Sequence, residues 1–230
     1  MSIELVVFDI AGTTVTDNGN INEVFRKAFA NAGITNVDPS DVDDVMGYRK
    51  QDAIEILVAK YITGLENDKT VIDTIDAIHE DFNNQLIEYY ETFEDLLPLP
   101  FAEKVFKELH NHKIKVALNT GFTRAITNPI LKRLGWDTAT FIDSVICSDE
   151  VSQGRPYPYM IKKLMQKLSI NFSEDVAKVG DTKVDIQEGH NAGCGIVVGI
   201  TTGAYTKEEL VKYRPDYVID SLEILPSLIH

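Results

Sequence analysis

The sequence predicts an α/β protein: a doubly wound parallel sheet, interrupted after its first strand by a helical insertion. Three observations carry that expectation. Short apolar runs rich in β-branched residues recur along the chain, helical patterns alternate with them, and residues 18–95 hold helical patterns but no convincing strand. Near-continuous apolar strands signal burial on both faces, as in a parallel sheet, and strand–helix alternation signals a doubly wound core.

The first run is "IELVVFD" (3–9), closed by Asp9. The insertion follows. Its first helical stripe is Val24, Phe25, Ala28 and Phe29, and its second is Ile54, Leu57, Val58 and Tyr61. A long third helix, Lys69 to Phe93, turns Ile75, Phe82, Leu86, Tyr89 and Phe93 inward. "PLPF" (98–101) then leads back to the core, because proline favours an extended approach. We therefore assign residues 1–17 and 96–230 to the α/β core and 18–95 to the insertion, with hinges expected at 17–20 and 95–98. Beyond them, "FAEKVFKELHNH" and "YMIKKLMQKL" read as amphipathic helices. "IKVALNT" (114–120), "VAKVGD" (176–181), "GIVVGITTG" (195–203) and "YVID" (217–220) read as strands.

Composition narrows the function. The 230 residues suffice for a core plus a module, and 44% hydrophobic and 25% charged residues are ordinary for a globular protein. A formal net charge of −14 argues against a nucleic-acid partner, which requires a basic stripe. It does not exclude a small anion, because a metal ion inverts the local field. No apolar run approaches the ~20 residues that cross a bilayer. The start of the chain lacks the basic flank of a signal peptide, and Cys147 and Cys194 form no metal or disulfide pattern. A reducing cytoplasm is the expected location, with no membrane partner.

In open α/β sheets ligands sit at the carboxyl ends of the strands. Those ends offer Asp9, Gly12, Thr13 and Thr14, then Thr120 and Gly121, then Asp181 and Asp185, with Arg155 contributed by "GRPYP". Acids, hydroxyls, glycine-flanked amides and one guanidinium suit a phosphoryl group held with Mg²⁺, an ion that takes one or two carboxylates plus water and substrate oxygens. Each residue also has a plain structural alternative. Asp9, Asp181 and Asp185 could cap helices, Thr-Gly is a common turn, and an Arg before Pro is usually a solvated loop residue. Four such elements at successive strand ends are what favour a site.

The order Asp-x-Ala-Gly-Thr-Thr, Asn-Thr-Gly, Gly-Arg-Pro-Tyr-Pro and Gly-Asp-Thr-x-x-Asp resembles the haloacid dehalogenase superfamily, and within it the phosphonatase-like hydrolases. The resemblance spans essentially the whole chain and makes the insertion a mobile cap. It implies that Asp9 attacks phosphorus, and that Asp9, the carbonyl of Ala11 and Asp181 hold Mg²⁺ with Asp185 supporting them from behind. It further implies that Thr120, Gly121, Gly12 and Thr13 bind the phosphoryl group, that Arg155 neutralises charge beside the nucleophile, and that the protein dimerises through its cap. The Tyr89-Tyr90-Phe93 cluster could serve that contact or only the interior of the cap.

Most of the superfamily carries an acid where this chain has Ala11. An acid there protonates an alkoxide leaving group, an effect worth about 10²–10⁴-fold. If the leaving atom is carbon, the need is instead an electron sink, which an amine condensed with a neighbouring carbonyl provides. "VMGYRKQDAIEIL" sets Gly47 at a turn and Lys50 in the first turn of a helix, resembling the Met-Gly-x-x-Lys of phosphonatases. Met46 and Tyr48 are then expected to flank the substrate. The helix N-terminus and Arg49 should lower the pKa of Lys50. Ala53 stands where the pattern has histidine, and Phe122 where it has tyrosine. The leading expectation is a hydrolase of small 2-oxoalkyl phosphonates. A phosphatase acting on small phosphate esters is the alternative, and a non-catalytic binding protein on the same scaffold the third. His110, His112 and His190 are expected to be structural or solvated, Trp136 to fill space, and both cysteines to be inert.

Overall fold

The computed structural model describes residues 2–17, 19–62, 69–93 and 95–229. A six-stranded sheet forms the core, built from β1 (Leu5–Asp9), β2 (Lys115–Thr120), β3 (Ser144–Cys147), β4 (Val176–Gly180), β5 (Ile196–Ile200) and β6 (Tyr217–Ile219). All pairings are parallel, in the order β3-β2-β1-β4-β5-β6. The chain winds outward from β1 in both directions, so the topological switch lies at the carboxyl end of β1, where ligands bind in such sheets. Register sets Asp9 beside Asn119 there, and Phe8 beside Val179.

Among the described residues four helices precede the return to the core: α1 (Asn20–Asn31), α2 (Pro39–Asp43), α3 (Lys50–Tyr61) and α4 (Lys69–Thr92). Their apolar stripes close on one another, with the Phe25 and Phe82 rings 4.3 Å apart. Val15 bridges Pro98, which brings the two connections of this helical unit side by side. The helices α5 (Ala102–Asn111), α6 (Arg124–Leu134), α7 (Tyr159–Leu168), α8 (Lys183–Ala192), α9 (Lys207–Leu210) and α10 (Pro226–Ile229) complete the chain. Among the described residues no helix is long and apolar enough to cross a membrane.

Most elements fall where the periodicities set them, and the long helix ends one residue short of Phe93. Among the described elements, β3, α6 and α2 have no counterpart in the sequence reading, nor do the four-residue helices α9 and α10. β3 is four residues long and contains Ser144 and Cys147, too brief to stand out as an apolar run. α6 contains Pro129, which obscures its helical signature. α2 is a single five-residue turn, capped by Asp38 accepting from the Ser40 amide at 2.9 Å. Of the 17–20 hinge, Asn18 lies outside the described residues.

Trp136 is buried and its indole donates to Glu103 Oε1 at 2.9 Å. His110 is exposed, as is His190, whose Nε2 lies 3.1 Å from the Arg214 carbonyl. Tyr90 is buried, its ring 5.9 Å from that of Phe122, while the half-buried Tyr89 and Phe93 stack at 4.7 Å. Tyr90 thus faces the interior, while Tyr89 turns to α1, its hydroxyl accepting from Asn20 Nδ2 at 2.6 Å.

Candidate active site

β1 delivers Asp9 to the sheet edge, where its carboxylate is all but buried. Arg155 meets it there, with Nη1 2.7 Å from Asp9 Oδ1. The guanidinium is 1% exposed, which rules out the solvated-loop alternative. Its Nε donates to Glu188 Oε2 at 3.1 Å, and its Nη2 donates to both the carbonyl and Oδ1 of Asn119 at 2.8 Å. Asn119 Nδ2 donates to both oxygens of Glu188, at 3.0 and 2.8 Å. Lys178, projecting from β4, donates to Asn119 Oδ1 at 2.7 Å and pairs with Asp185 Oδ1 at 3.0 Å and Glu188 Oε2 at 3.3 Å. Burial opposes the charge on Arg155, but Asp185, Asp9 and Glu188 outweigh it and hold the guanidinium charged.

Asp181 occupies a cradle made by one hydroxyl, one backbone amide and two glycines. Thr13 Oγ1 donates to its Oδ1 at 2.9 Å and the Ala204 amide to its Oδ2 at 2.8 Å. Two glycines leave room for it: a Cβ at Gly12, where φ is +82°, would stand 2.7 Å from Asp181 Oδ2, and one at Gly203 only 2.0 Å away. Asp185 lies behind, its Oδ2 accepting from the amide and hydroxyl of Thr182 at 3.2 and 2.5 Å.

The electrostatics separate these acids. Burial pushes Asp9 up to about 6, Asp185 adding to the rise and Arg155 opposing it. Burial, then Asp9 and Asp185, push Asp181 far above the carboxylate range. Burial also works against Asp185, but Arg155 and Lys178 prevail and hold it below. Asp9 and Asp181 therefore carry the unmet negative charge, and a divalent cation between them would relieve it. No cluster of three or more His, Cys, Asp or Glu side chains suited to a metal occurs among the described residues. Two carboxylates, the Ala11 carbonyl and water make a donor set that fits Mg²⁺, which needs no full protein cage.

Asp9, Ala11, Thr120, Gly121, Arg155 and Asp181 line one side of a cavity, and Met46, Gly47, Lys50, Asp17, Ile21 and Phe122 line the other. Centres of water-sized spheres have about 30 Å³ in it, room for a water or two. The loop before α3 seals it. A Cβ on Gly121 would stand 2.3 Å from the Tyr48 carbonyl oxygen, one on Gly47 2.2 Å from Thr182 Oγ1, and one on Gly154 2.6 Å from Arg49 Cβ. The helical unit is thus closed on the core, and backbone contact this tight is open only to glycine.

Lys50 opens α3 and is 3% exposed. Its Nζ lies 5.3 Å from the centre of the Phe25 ring and 5.2 Å from that of Phe122. Burial pushes it down to about 8, against the pull of Asp9 and Asp17 and with a further push from Arg155. The direction agrees with the sequence expectation, but the cause is burial and Arg155, not Arg49. Arg49 turns outward to the Ser152 carbonyl, 3.4 Å from Nη1.

The structure brings Asp9, Ala11, Lys50, Thr120, Gly121, Arg155, Asp181 and Met46 to one cavity. Gly12 and Thr13 lie outside its lining, because Thr13 spends its hydroxyl on Asp181 and Gly12 packs on Gly203. Tyr48 is also outside it. Its ring faces Lys183, 5.9 Å from Nζ, so only its backbone reaches the site. Asn119, Lys178, Glu188 and Asp17 were not singled out in the sequence as site residues. A lysine in the buried strand "VAKVGD" and a glutamate three residues after Asp185 were the available signals. Ala53 is fully buried among α3 neighbours, where a histidine would need space and a partner.

A sheet-edge aspartate, a cradled second carboxylate and a helical unit closed over both define a class of α/β hydrolase. The family model for haloacid dehalogenase-like hydrolases matches residues 3–193, and the chain belongs to that family. It is 31% identical over 250 residues to the phosphonoacetaldehyde hydrolase of Bacillus mycoides (strain KBAB4), covering 98% of this chain and 87% of that one. Among solved structures it resembles a phosphonoacetaldehyde hydrolase-like protein from Oleispira antarctica, with TM-score 0.82, 23% identity and coverage of 100% and 92%. It also resembles a predicted phosphoglycolate phosphatase from Haemophilus somnus 129pt, with TM-score 0.79, 19% identity and coverage of 99% and 98%.

Proposed function

We propose that this hydrolase cleaves the carbon–phosphorus bond of a small 2-oxoalkyl phosphonate. The observation that carries the reading is Lys50: a buried amine, with no hydrogen bond or ion pair to any described residue, in the same cavity as Asp9 and beside an alanine where an acid would serve an ester.

Asp9, Asp181 and the Ala11 carbonyl would hold Mg²⁺, which when bound would offset charge on the phosphoryl group. Thr120 and the Gly121 amide bind phosphoryl oxygens, and Arg155 fixes the Asp9 carboxylate. Lys50 Nζ attacks the carbonyl carbon and water departs, leaving a protonated imine. An Asp9 oxygen then bonds to phosphorus while the carbon–phosphorus electron pair moves into the imine, giving a neutral enamine. Water cleaves the aspartyl phosphate, and the proton released supplies the one the enamine carbon takes up. A second water hydrolyses the imine and frees Lys50. Closed on the core, the helical unit keeps bulk solvent from the enamine.

Ala53 in place of a histidine, together with the phosphoglycolate phosphatase-like neighbour, supports a second reading. In it Lys50 is an electrostatic phosphate contact, and the substrates are esters with good leaving groups. A phosphate-release screen of 2-oxoalkyl phosphonates against aryl and acyl phosphates with Mg²⁺, repeated with Lys50→Ala, separates the two. The first reading expects turnover of the phosphonates and its loss in the variant. Turnover of esters alone would establish the second. A reducing cytoplasm, supported by two unpaired cysteines, and a dimer through the helical cap belong to the same proposal.

A further inference from the structure

We propose that Asp17 is a catalytic residue, the proton donor and acceptor for the carbonyl–amine exchange at Lys50. The proposal rests on the amine reading above and adds to it a group that no motif marks.

Asp17 lies on the connection between β1 and α1 and lines the same cavity as Lys50 and Asp9. A structural role accounts for part of it. The backbone amides of Ile21, Gly19 and Asn20 are directed at its carboxyl group, as in a helix cap. That role does not account for Oδ1, which is buried and has no hydrogen-bond partner. A buried carboxyl oxygen left unpaired costs free energy unless something fills its place in the working enzyme.

Most of the other polar side chains around the cavity are engaged. Asp9 is tied to Arg155, Asp181 to Thr13 and Ala204, and the Thr182 hydroxyl to Asp185. The Tyr48 ring is turned to Lys183, and positions 11 and 53 are alanines. Among the described acids of the lining, Asp17 alone has a fully buried carboxyl oxygen without a hydrogen-bond partner. Burial pushes its carboxyl upward, Lys50 pulls it down, and each of the two groups feels the charge of the other. A carboxyl group set in the same cavity as the amine, its proton affinity raised by burial, is placed to exchange a proton with the adduct.

The bookkeeping closes. Nζ bonds to the carbonyl carbon, and the carbonyl oxygen ends as the hydroxyl of a carbinolamine. Protonated Asp17 gives its proton to that hydroxyl, the C–O bond breaks, water leaves, and the nitrogen lone pair forms the C=N⁺ bond. The Asp17 carboxylate regains a proton from the water that later adds to the iminium, and the carbinolamine collapses to product and free amine.

Asp17→Asn keeps a capping oxygen and removes the proton, whereas Asp17→Glu keeps the acid. The test is the rate at which borohydride traps 2-oxoethylphosphonate on the whole enzyme, with melting temperature measured alongside. We expect trapping in Asp17→Asn to slow about 100-fold, the scale of general acid–base catalysis, and Asp17→Glu to recover at least part of that loss. Trapping at the original rate in Asp17→Asn would overturn the assignment. Equal slowing in both variants, matched by equal loss of melting temperature, would overturn it in favour of a helix cap alone. No adduct in the unaltered enzyme would remove the amine reading itself, and the Asp17 role with it.

Discussion

Arg155 sets one nitrogen 2.7 Å from Asp9 while Glu188 and Asn119 occupy the others, so the guanidinium cannot turn without breaking a buried network. A lysine there has one charged nitrogen in place of a planar fork and could not meet Asp9, Glu188 and Asn119 together. The direction of the Asp9 carboxylate is thus set by the buried network behind it.

Exchanging the charge within this network tests that dependence. Glu188→Gln removes an anion facing two cations, and Asn119→Asp sets a second carboxylate against Glu188. Each single variant should lose about 3 kcal/mol of stability to urea. If Asp9 is the nucleophile proposed above, each should also lose about 10²-fold in kcat, the cost of misplacing a reacting group. The double variant restores one carboxylate and one amide and should recover most of both. Additive losses in the double variant would show the network does not act as a unit.

Lys50 should reduce stability at neutral pH. Folded Lys50 titrates near 8 and a free lysine near 10.5, so between those values the unfolded chain holds the extra proton and stability rises with pH. Below 8 the full penalty is present. Lys50→Met should therefore stabilise the protein at pH 7 by roughly 3 kcal/mol, a gain that shrinks to nothing above about pH 10.5. Urea titrations at several pH values measure it, and a gain independent of pH would contradict burial of the charge.

Closure depends on the missing side chain of Gly121. Gly121→Ala drives a methyl group onto the Tyr48 carbonyl oxygen and should hold the helical unit ajar. Hydrogen exchange across residues 46–49 should quicken and KM should rise. Unchanged exchange would show that the seal adjusts elsewhere.

Neither cysteine should react in the folded protein. Burial pushes both thiols up to about 12, so little thiolate exists at pH 8. Iodoacetamide should label both only after unfolding. Rapid labelling of native Cys194 would contradict this.

The strands, the long helix and the four motif-bearing loops were legible because apolar period and turn residues are local properties. β3 and α6 were not, since a four-residue strand and a proline-bearing helix are set by the neighbours they pack on. The site divided in the same way. Asp9 closes an apolar run ahead of a glycine, Asp181 follows Gly180 and Lys50 opens a helix, so each stands out in the chain. Lys178 and Glu188 belong to the site only because β4 and α8 fold against Arg155, and Asp17 only because closure brings it to Lys50.

The central claim is that Lys50 bonds covalently to its substrate. The direct measurement is peptide mapping by mass spectrometry after turnover of 2-oxoethylphosphonate in the presence of borohydride and Mg²⁺. A single reduced adduct on Lys50, with inactivation in proportion to its yield, is the predicted result. Phosphate release from that compound with no adduct, or with the adduct on another lysine, would contradict it.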